Sequence, residues 1–228
     1  MERVPMEKKV LSENDRIAAD LRTRFADHGT LVLNFISSPG SGKTLFLERT
    51  LEALRKSDAL SKELRVAVLT GDIQTDNDAR RLARVGFPVQ QITTAGACHL
   101  DARMIDRALN AWKGQRFDLL LIENVGNLVC PTSYDLGEEQ KIVLLSVTEG
   151  EDKPLKYPGA FFKSKVMILN KVDLLRYVPF DPAAARENAR RINPDIAIFE
   201  TSCTTGAGLD KWNAWLGARM AVRQTAAV

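Results

Sequence analysis

The sequence predicts an α/β fold in which a mostly parallel sheet is covered by helices on both faces. Short runs of near-continuous apolar residues, such as LVLNFI (31–36), FDLLLIE (117–123) and KVMILN (165–170), recur along the chain. Strands buried on both faces read that way. Between most of these runs lie segments with apolar residues at helical spacing, the alternation that builds parallel βαβ units. The 228 residues are 45% hydrophobic and 27% charged, which suits a globular chain with a sizeable core.

Residues 1–28 are expected to form an amphipathic helix, with Val10, Ile17, Leu21 and Phe25 near helical spacing. This segment is read as a helical arm packed on a main domain of residues 29–228. Strand 31–36 leads through a glycine-rich turn into a helix from Thr44 to about Lys56. Strands at 65–70 and 88–93 follow, joined by a helix that Asp76 would cap. A helix at 101–112 precedes strands at 117–123, 141–147 and 165–170. EGEDKPLKYPG (149–159) reads as a charged, proline-broken loop. DPAAARENARRI (181–192) opens with Asp-Pro, a cap followed by proline at the first helical position. A strand at 196–201 and a helix over GLDKWNAWLGARM complete the series, and the tail RQTAAV is expected to fray.

The net charge of +3 is small, and the basic residues are interleaved with acids, which argues against nucleic-acid binding. The first residues lack the apolar core of a signal peptide. No apolar run approaches the roughly 20 residues that cross a bilayer. Three cysteines make no disulfide framework. The expectation is a reduced, cytoplasmic protein whose thiols are free to bind metal.

SSPGSGKT (37–44), between a strand and a helix, carries the first chemistry. It is a phosphate-binding loop in the right context, so the sheet is that of a P-loop NTPase. In the Pro39–Thr44 loop the backbone N–H groups from Gly40 through Thr44, with the following helix N-terminus, suit phosphates. Gly40 and Gly42 permit the turn and the close approach. Lys43 would neutralise phosphate charge and Thr44 would hold Mg²⁺. The strict pattern has glycine where this chain has Ser37. Asp72 and Glu123 end strands expected to neighbour this loop, where α/β ligands bind. Asp72 would join Thr44 on Mg²⁺, and Glu123 would place the attacking water or sense Mg²⁺. Gly126, three residues on, suits a γ-phosphate sensor. The plainer alternative for both acids is a pair of exposed loop carboxylates.

NKVD (170–173) follows another strand and points to guanine. Asp173 can accept from both the ring N1–H and the exocyclic amine, a donor pair that adenine lacks. Asn170 would bond the far edge of the base and the Lys171 stem would lie along it. TSCTTGAG (201–208) is placed to close over the base through Ser202, Cys203 or Thr204. Cys203 is read as packing rather than as a metal ligand.

GACHLDA (96–102) puts Cys98 beside His99, and VGNLVCP (125–131) adds Cys130 four residues after Gly126. Neighbouring residues of a regular strand face opposite ways, so both reach one ion only from an irregular turn. Two thiolates and an imidazole suit Zn²⁺ or Ni²⁺, with a fourth position for water or a second protomer. Spacing alone favours the plainer alternative of two packed thiols and a helix-start histidine, since this is no standard metal pattern.

SSPGSGKT, GDIQTDNDA, GACHLDA, IENVGNLVCP, LLSVTEGEDKPLKYP, ILNKVDLL and CTTGAGL, spread over roughly residues 30–216, together resemble the HypB family. These are the nickel-insertion GTPases of [NiFe]-hydrogenase maturation. The resemblance implies a slow GTPase using GTP, GDP and Mg²⁺. It implies a Zn²⁺ or Ni²⁺ site at Cys98, His99 and Cys130, at the interface of a GTP-promoted homodimer, with Lys153 reaching across. It also implies a HypA-type nickel chaperone and a hydrogenase large subunit as partners, with no nucleic acid or membrane involved. Two family features are missing: no cysteine precedes position 98, and His28 is the single histidine before His99. Nickel storage is therefore not expected. A GTPase serving another nickel enzyme such as urease, and a regulatory module with structural zinc, remain as alternatives.

Overall fold

A computed structural model describes residues 6–57, 64–74 and 76–226. In chain order the elements are α1 (Met6–Asp27), β1 (Leu31–Ser37), α2 (Lys43–Lys56), β2 (Val66–Asp72), α3 (Asn77–Ala83), β3 (Val89–Thr93) and α4 (Ala102–Leu109). There follow β4 (Leu119–Glu123), α5 (Cys130–Ser133), β5 (Gln140–Ser146), α6 (Lys153–Lys156), α7 (Pro158–Lys163) and β6 (Ser164–Asn170). The chain ends with α8 (Pro182–Ile192), β7 (Ala197–Thr201) and α9 (Leu209–Ala226). Short 3₁₀ turns at Asn110–Trp112 and Val172–Tyr177 follow α4 and β6.

Among the described residues these strands form one parallel sheet in the order β3-β2-β4-β1-β5-β6-β7. β1 is central, with Phe35 opposite Glu123 of β4 and Ser37 opposite Leu144 of β5. β4 lies between β2 and β1 and pairs Glu123 with Thr70, and the carboxyl ends of both β2 and β4 lie beside the phosphate loop as expected. The chain leaves β1 for one side of the sheet and returns from β4 to the other. A crevice therefore opens beyond the carboxyl ends of β1 and β4.

Alternation along β1 divides the core. Leu31, Leu33 and Phe35 face α2 and α9, packing with Phe46, Leu51, Trp212 and Leu216. Trp212 is fully buried, set edge-on to Phe35 at 6.1 Å. On the other face Val32, Leu120 and Ile122 meet Ala18, Leu21 and Phe25 of α1 and Ile105 of α4. Ile36, Val143 and Leu145 meet Phe161 of α7 and Ala185 of α8.

All seven expected strands form, and the helices differ in detail. Val10 is 53% exposed, so the buried stripe of α1 begins further along than the spacing suggested; residues 1–5 of the expected helix lie outside the described residues. Asp76 stands at the N-cap of α3, but its side chain makes no cap bond and accepts from Arg80 Nε at 2.8 Å. Asp181 does cap α8, accepting from the Ala183 and Ala184 amides at 2.8 and 3.2 Å. The expected loop at 149–159 contains α6 and begins α7, and Pro154 and Pro158 sit in their first turns. Proline disrupts a helix interior but fits its first turn, so these prolines start helices. The tail does not fray where expected: α9 runs through Ala226, and 227–228 lie outside the described residues. No helix among the described residues is long and apolar enough to cross a membrane.

Candidate nucleotide and metal sites

The loop from Ser37 to Thr44 joins β1 to α2. Gly42 has φ +91°, and a Cβ there would meet Asn170 Nδ2 at 2.7 Å, so the turn requires glycine twice over. Ser37 is absent from the residues with positive φ and closes β1 as ordinary strand. That explains how serine serves where the strict pattern has glycine.

Lys43, Thr44 and Glu123 meet at the crevice. The Thr44 hydroxyl donates to Glu123 Oε1 at 2.7 Å. The Lys43 ammonium stands 3.7 Å from the same oxygen and 3.5 Å from Ser37 Oγ. Glu123 is 3% exposed, and its Oε2 has no hydrogen-bond partner. Burial pushes its carboxyl above the usual range, against the pull of Lys43 and Thr44. A buried oxygen without a donor is costly, and a cation, a water or a nucleotide group would satisfy it. The residues thus fit a Mg²⁺-nucleotide.

Asp72 ends β2, half-buried, with Oδ1 accepting from the Gln74 amide at 2.8 Å. It lines a cleft of about 490 Å³ together with Lys43, Thr44, Glu123, Gly126 and Arg81. Gly126 lies against Pro39, whose atoms a Cβ would approach to 3.2–3.3 Å. Lys153 sits beside its own phosphate loop, 3.5 Å from Ser38 Oγ and 3.4 Å from Glu149. Glu149 in turn accepts from Ser41 Oγ at 3.0 Å.

Asn170 and Lys171, two of the residues expected to read the base, lie against the same loop. Asn170 donates to the Ser41 carbonyl at 2.9 Å and accepts from Thr201 Oγ1 at 3.2 Å and the Cys203 thiol at 3.5 Å. These bonds also tie the phosphate loop, the β6 end and the 201–208 loop together. Lys171, at φ +63°, reaches back to the Gly40 carbonyl at 2.6 Å. Asp173 lies in the 3₁₀ turn. The 201–208 loop is closed by the Ser202 amide on the Ala207 carbonyl, and Arg49 Nε holds the Cys203 carbonyl at 3.1 Å. Cys203 packs in the core, as read from sequence, and burial pushes its thiol up to about 11.

Cys98 and His99 follow a turn in which Ala95 and Gly96 have φ of +51° and +102°. This irregular backbone brings adjacent side chains to one place. Cys130 opens α5. Donor atoms of Cys98, His99 and Cys130 all lie within 4.8 Å of one another, room for one ion at the 2.0–2.3 Å or so of zinc-like bonds. Burial lowers the affinity of His99 for its second proton, against Asp101, which favours the neutral, ligating form. A hydrogen bond to Cys98, aided by burial, pushes the Cys130 thiol up; a metal would displace its proton. The Tyr134 ring stacks on His99 at 3.8 Å and 23°.

The family model described as CobW/HypB/UreG, nucleotide-binding domain, matches residues 31–200. The hydrogenase maturation factor HypB of Azotobacter chroococcum mcd 1 is 49% identical over 96% of this chain and 72% of its own length.

The chain belongs to the HypB family of hydrogenase maturation factors.

HypB of Escherichia coli K12 is 50% identical over 92% of the chain and 71% of its own length. The crystal structure of HypB from Helicobacter pylori in complex with nickel superposes with a TM-score of 0.83 at 41% identity, over 91% of this chain and 95% of that one. Against this HypB background, several residues that sequence reasoning passed over stand out. Asn124 and Asn127 lie within the segment joining Glu123 to Cys130, and each was legible as a polar residue in an apolar run. Tyr134 lies four positions after Cys130. Arg81 and Glu149 carried no local signal, because only the folded chain brings them to the phosphate loop.

Proposed function

We propose that this HypB-family chain is a GTP-hydrolysing metallochaperone switch that passes Ni²⁺ toward a [NiFe]-hydrogenase. One observation carries the reading: a single short segment begins at Glu123, in the nucleotide crevice, and ends at Cys130, among three metal donors within 4.8 Å. Thr44 and Asp72 would hold Mg²⁺, which supplies charge neutralisation at the phosphates. Lys43 balances phosphate charge, and Glu123 orients water from its buried oxygen. Pro39–Thr44, Gly126, Lys171, Asp173 and the 202–204 backbone form the nucleotide contacts, with Asn170 bracing them. The metal is cargo, held by Cys98, His99 and Cys130 as Ni²⁺ or Zn²⁺. A three-donor set fits release better than the closed four-ligand set of structural zinc.

The partners in this reading are a second copy of the chain, engaged when GTP binds with Lys153 near its nucleotide, a HypA-type nickel chaperone and the hydrogenase large subunit. The arm of residues 1–28 belongs with the 29–228 GTPase domain, and a reducing cytoplasm keeps the ligand thiols free.

The test is titration of Ni²⁺ and Zn²⁺ into nucleotide-free, GDP and GTP-analogue forms, with Cys130→Ala alongside. Nucleotide-dependent affinity is expected in the parent. Equal affinities in all three states would sink the switch. Guanine recognition is tested by Asp173→Asn, which should shift preference toward xanthine nucleotides; undiminished GTP binding would refute the base assignment.

A further inference from the structure

Asn127 occupies a place that neither site requires by itself. Its backbone forms an antiparallel bridge with Ser37, the first residue of the phosphate loop. Its side chain faces the metal donors. Nδ2 donates to the Cys98 carbonyl at 3.3 Å, and Oδ1 accepts from the Val129 amide at 2.9 Å. Val129 immediately precedes Cys130. One amide thus spans the two turns that present the thiols, while the same residue is fastened to the loop that holds phosphate.

The neighbouring Asn124 shows the contrast. Its Oδ1 accepts from the Leu100 amide at 3.1 Å and the Val125 amide at 3.0 Å, and its Nδ2 donates to Asn34 of β1 at 3.2 Å. Asn124 is 1% exposed and anchors the Cys-His turn to the sheet. Asn127 is only half-buried and ties the same turn to a segment beside Gly126. A displacement of the phosphate loop reaches Asn127 through the Ser37 bridge, and both of its amide bonds then pull on the spacing between Cys98 and Cys130. Thiolate–metal bonds tolerate only about 0.2 Å of error, so a small rotation of this amide suffices to alter the metal's hold.

We propose that Asn127 is the positioning residue that transmits the state of the phosphate loop to the metal centre, by setting the distance between the Cys98 and Cys130 turns. This rests on the reading that the triad holds metal under nucleotide control. An amide suits the task because it offers a donor to a carbonyl and an acceptor to an N–H together. Asn127→Ala removes both bonds together with the amide's hydrogen bond to the Cys130 thiol, and Asn127→Asp keeps the acceptor for Val129 while losing the donor to Cys98. Both leave the backbone bridge possible.

The experiment measures Ni²⁺ and Zn²⁺ affinity by chelator competition in GDP and GTP-analogue states of the full chain. The thiolate-to-nickel charge-transfer absorption is recorded alongside, with folding checked by circular dichroism. In the parent, the two nucleotide states should differ in metal affinity by about 5–150-fold, the usual range of coupling between sites. In both variants the ratio should fall to within about twofold of unity, with a charge-transfer band that no longer changes on nucleotide exchange. If Asn127→Ala fails to fold, Asn127→Asp decides. A variant that keeps the parent's ratio overturns the role of Asn127 and leaves the switch intact. A parent with no ratio overturns the switch and this role together. Loss of metal binding in every nucleotide state in both variants overturns it as well, placing Asn127 in the scaffold of the triad alone.

Discussion

The Tyr134–His99 stack offers a test of how the metal site is preorganised. His99 is adjacent to Cys98 on an irregular turn, and only a neighbour can fix its ring plane. Tyr134 does so from 3.8 Å at 23°, and its backbone carbonyl is held separately by Lys141 Nζ at 2.9 Å. Tyr134→Leu keeps apolar bulk and loses the stack. Tyr134→Phe keeps the ring. Aromatic pairs contribute about 0.5–1.5 kcal/mol beyond buried area. If that energy holds the imidazole in its ligating orientation, Tyr134→Leu should weaken Zn²⁺ and Ni²⁺ binding by about 2–12-fold, taking 1.4 kcal/mol as tenfold. Tyr134→Phe should stay within about twofold of the parent. Chelator competition at fixed pH reads the affinities, and the His99→Ala background supplies the control, where the two Tyr134 variants should bind alike. Equal affinity of the Leu and Phe variants with His99 present would refute the argument.

Gly206 and Gly208 both have positive φ, +83° and +71°, but a Cβ on Gly206 meets nothing within 4 Å, whereas one on Gly208 would stand 1.9 Å from the Glu200 carbonyl oxygen. Gly206→Ala should cost about 1–2 kcal/mol of left-handed strain. Gly208→Ala should cost at least about 1 kcal/mol more and weaken GDP binding, because the 201–208 loop must open. Thermal denaturation and GDP calorimetry that fail to separate the two would contradict the geometry. Cys203, raised to about 11, stays protonated as pH rises past 8, where roughly one thiol in a thousand is thiolate against about a quarter for an ordinary cysteine. Iodoacetamide mapping at pH 8 should label the half-buried Cys98 well before the buried Cys203; labelling at one rate would be inconsistent with this burial. Amide exchange offers a last check on the switch segment: exchange at Val129 should change between GDP and GTP-analogue states while Val125, bonded to Asn124 at 3.0 Å, holds steady. A reversed pattern would place the moving point elsewhere.

The fold was readable because its strands are buried on both faces, so runs such as LVLNFI and KVMILN admitted few other readings. The phosphate loop was readable for a related reason, since it packs its chemistry into adjacent residues, whereas the Cys-His turn was read as a metal site only through the family resemblance, its spacing alone favouring packed thiols. Strand order was not local information: Asp72 was read only as ending a strand beside the phosphate loop, and nothing near it records that β4 lies between β2 and β1. The loop reading at 149–159 failed because a proline that breaks a helix interior also starts a helix. Asn170 shows a third kind of gap. Its motif assigned it to the base, yet the amide also holds Ser41, Thr201 and Cys203, partners that become neighbours only when β6 and β7 lie side by side.

The way the segment after β4 is fastened limits how the two sites can communicate. Glu123 pairs with Phe35 in register, the Asn124 amide bonds the Phe35 carbonyl at 3.0 Å, and Asn127 bridges Ser37. The segment is thus held to β1 at both ends of a short arc containing Gly126. Beyond Asn127 only Leu128 and Val129 precede Cys130, which opens a helical turn stiffened by Pro131 at its start. Leu128 is buried, so this stretch cannot swing as a free loop. What remains is rotation about the Asn127 attachment, with Cys130 at the end of an arm of about three residues, each at most about 3.3–3.6 Å long. If nucleotide binding shifts the phosphate loop as proposed, an arm that short would carry a sub-ångström motion to the thiol at similar size. That is enough to change a metal bond and too little to require large rearrangement. Coupling built this way must also run backward, since a metal that fixes Cys130 fixes the arm, and by linkage alters nucleotide affinity by the same factor.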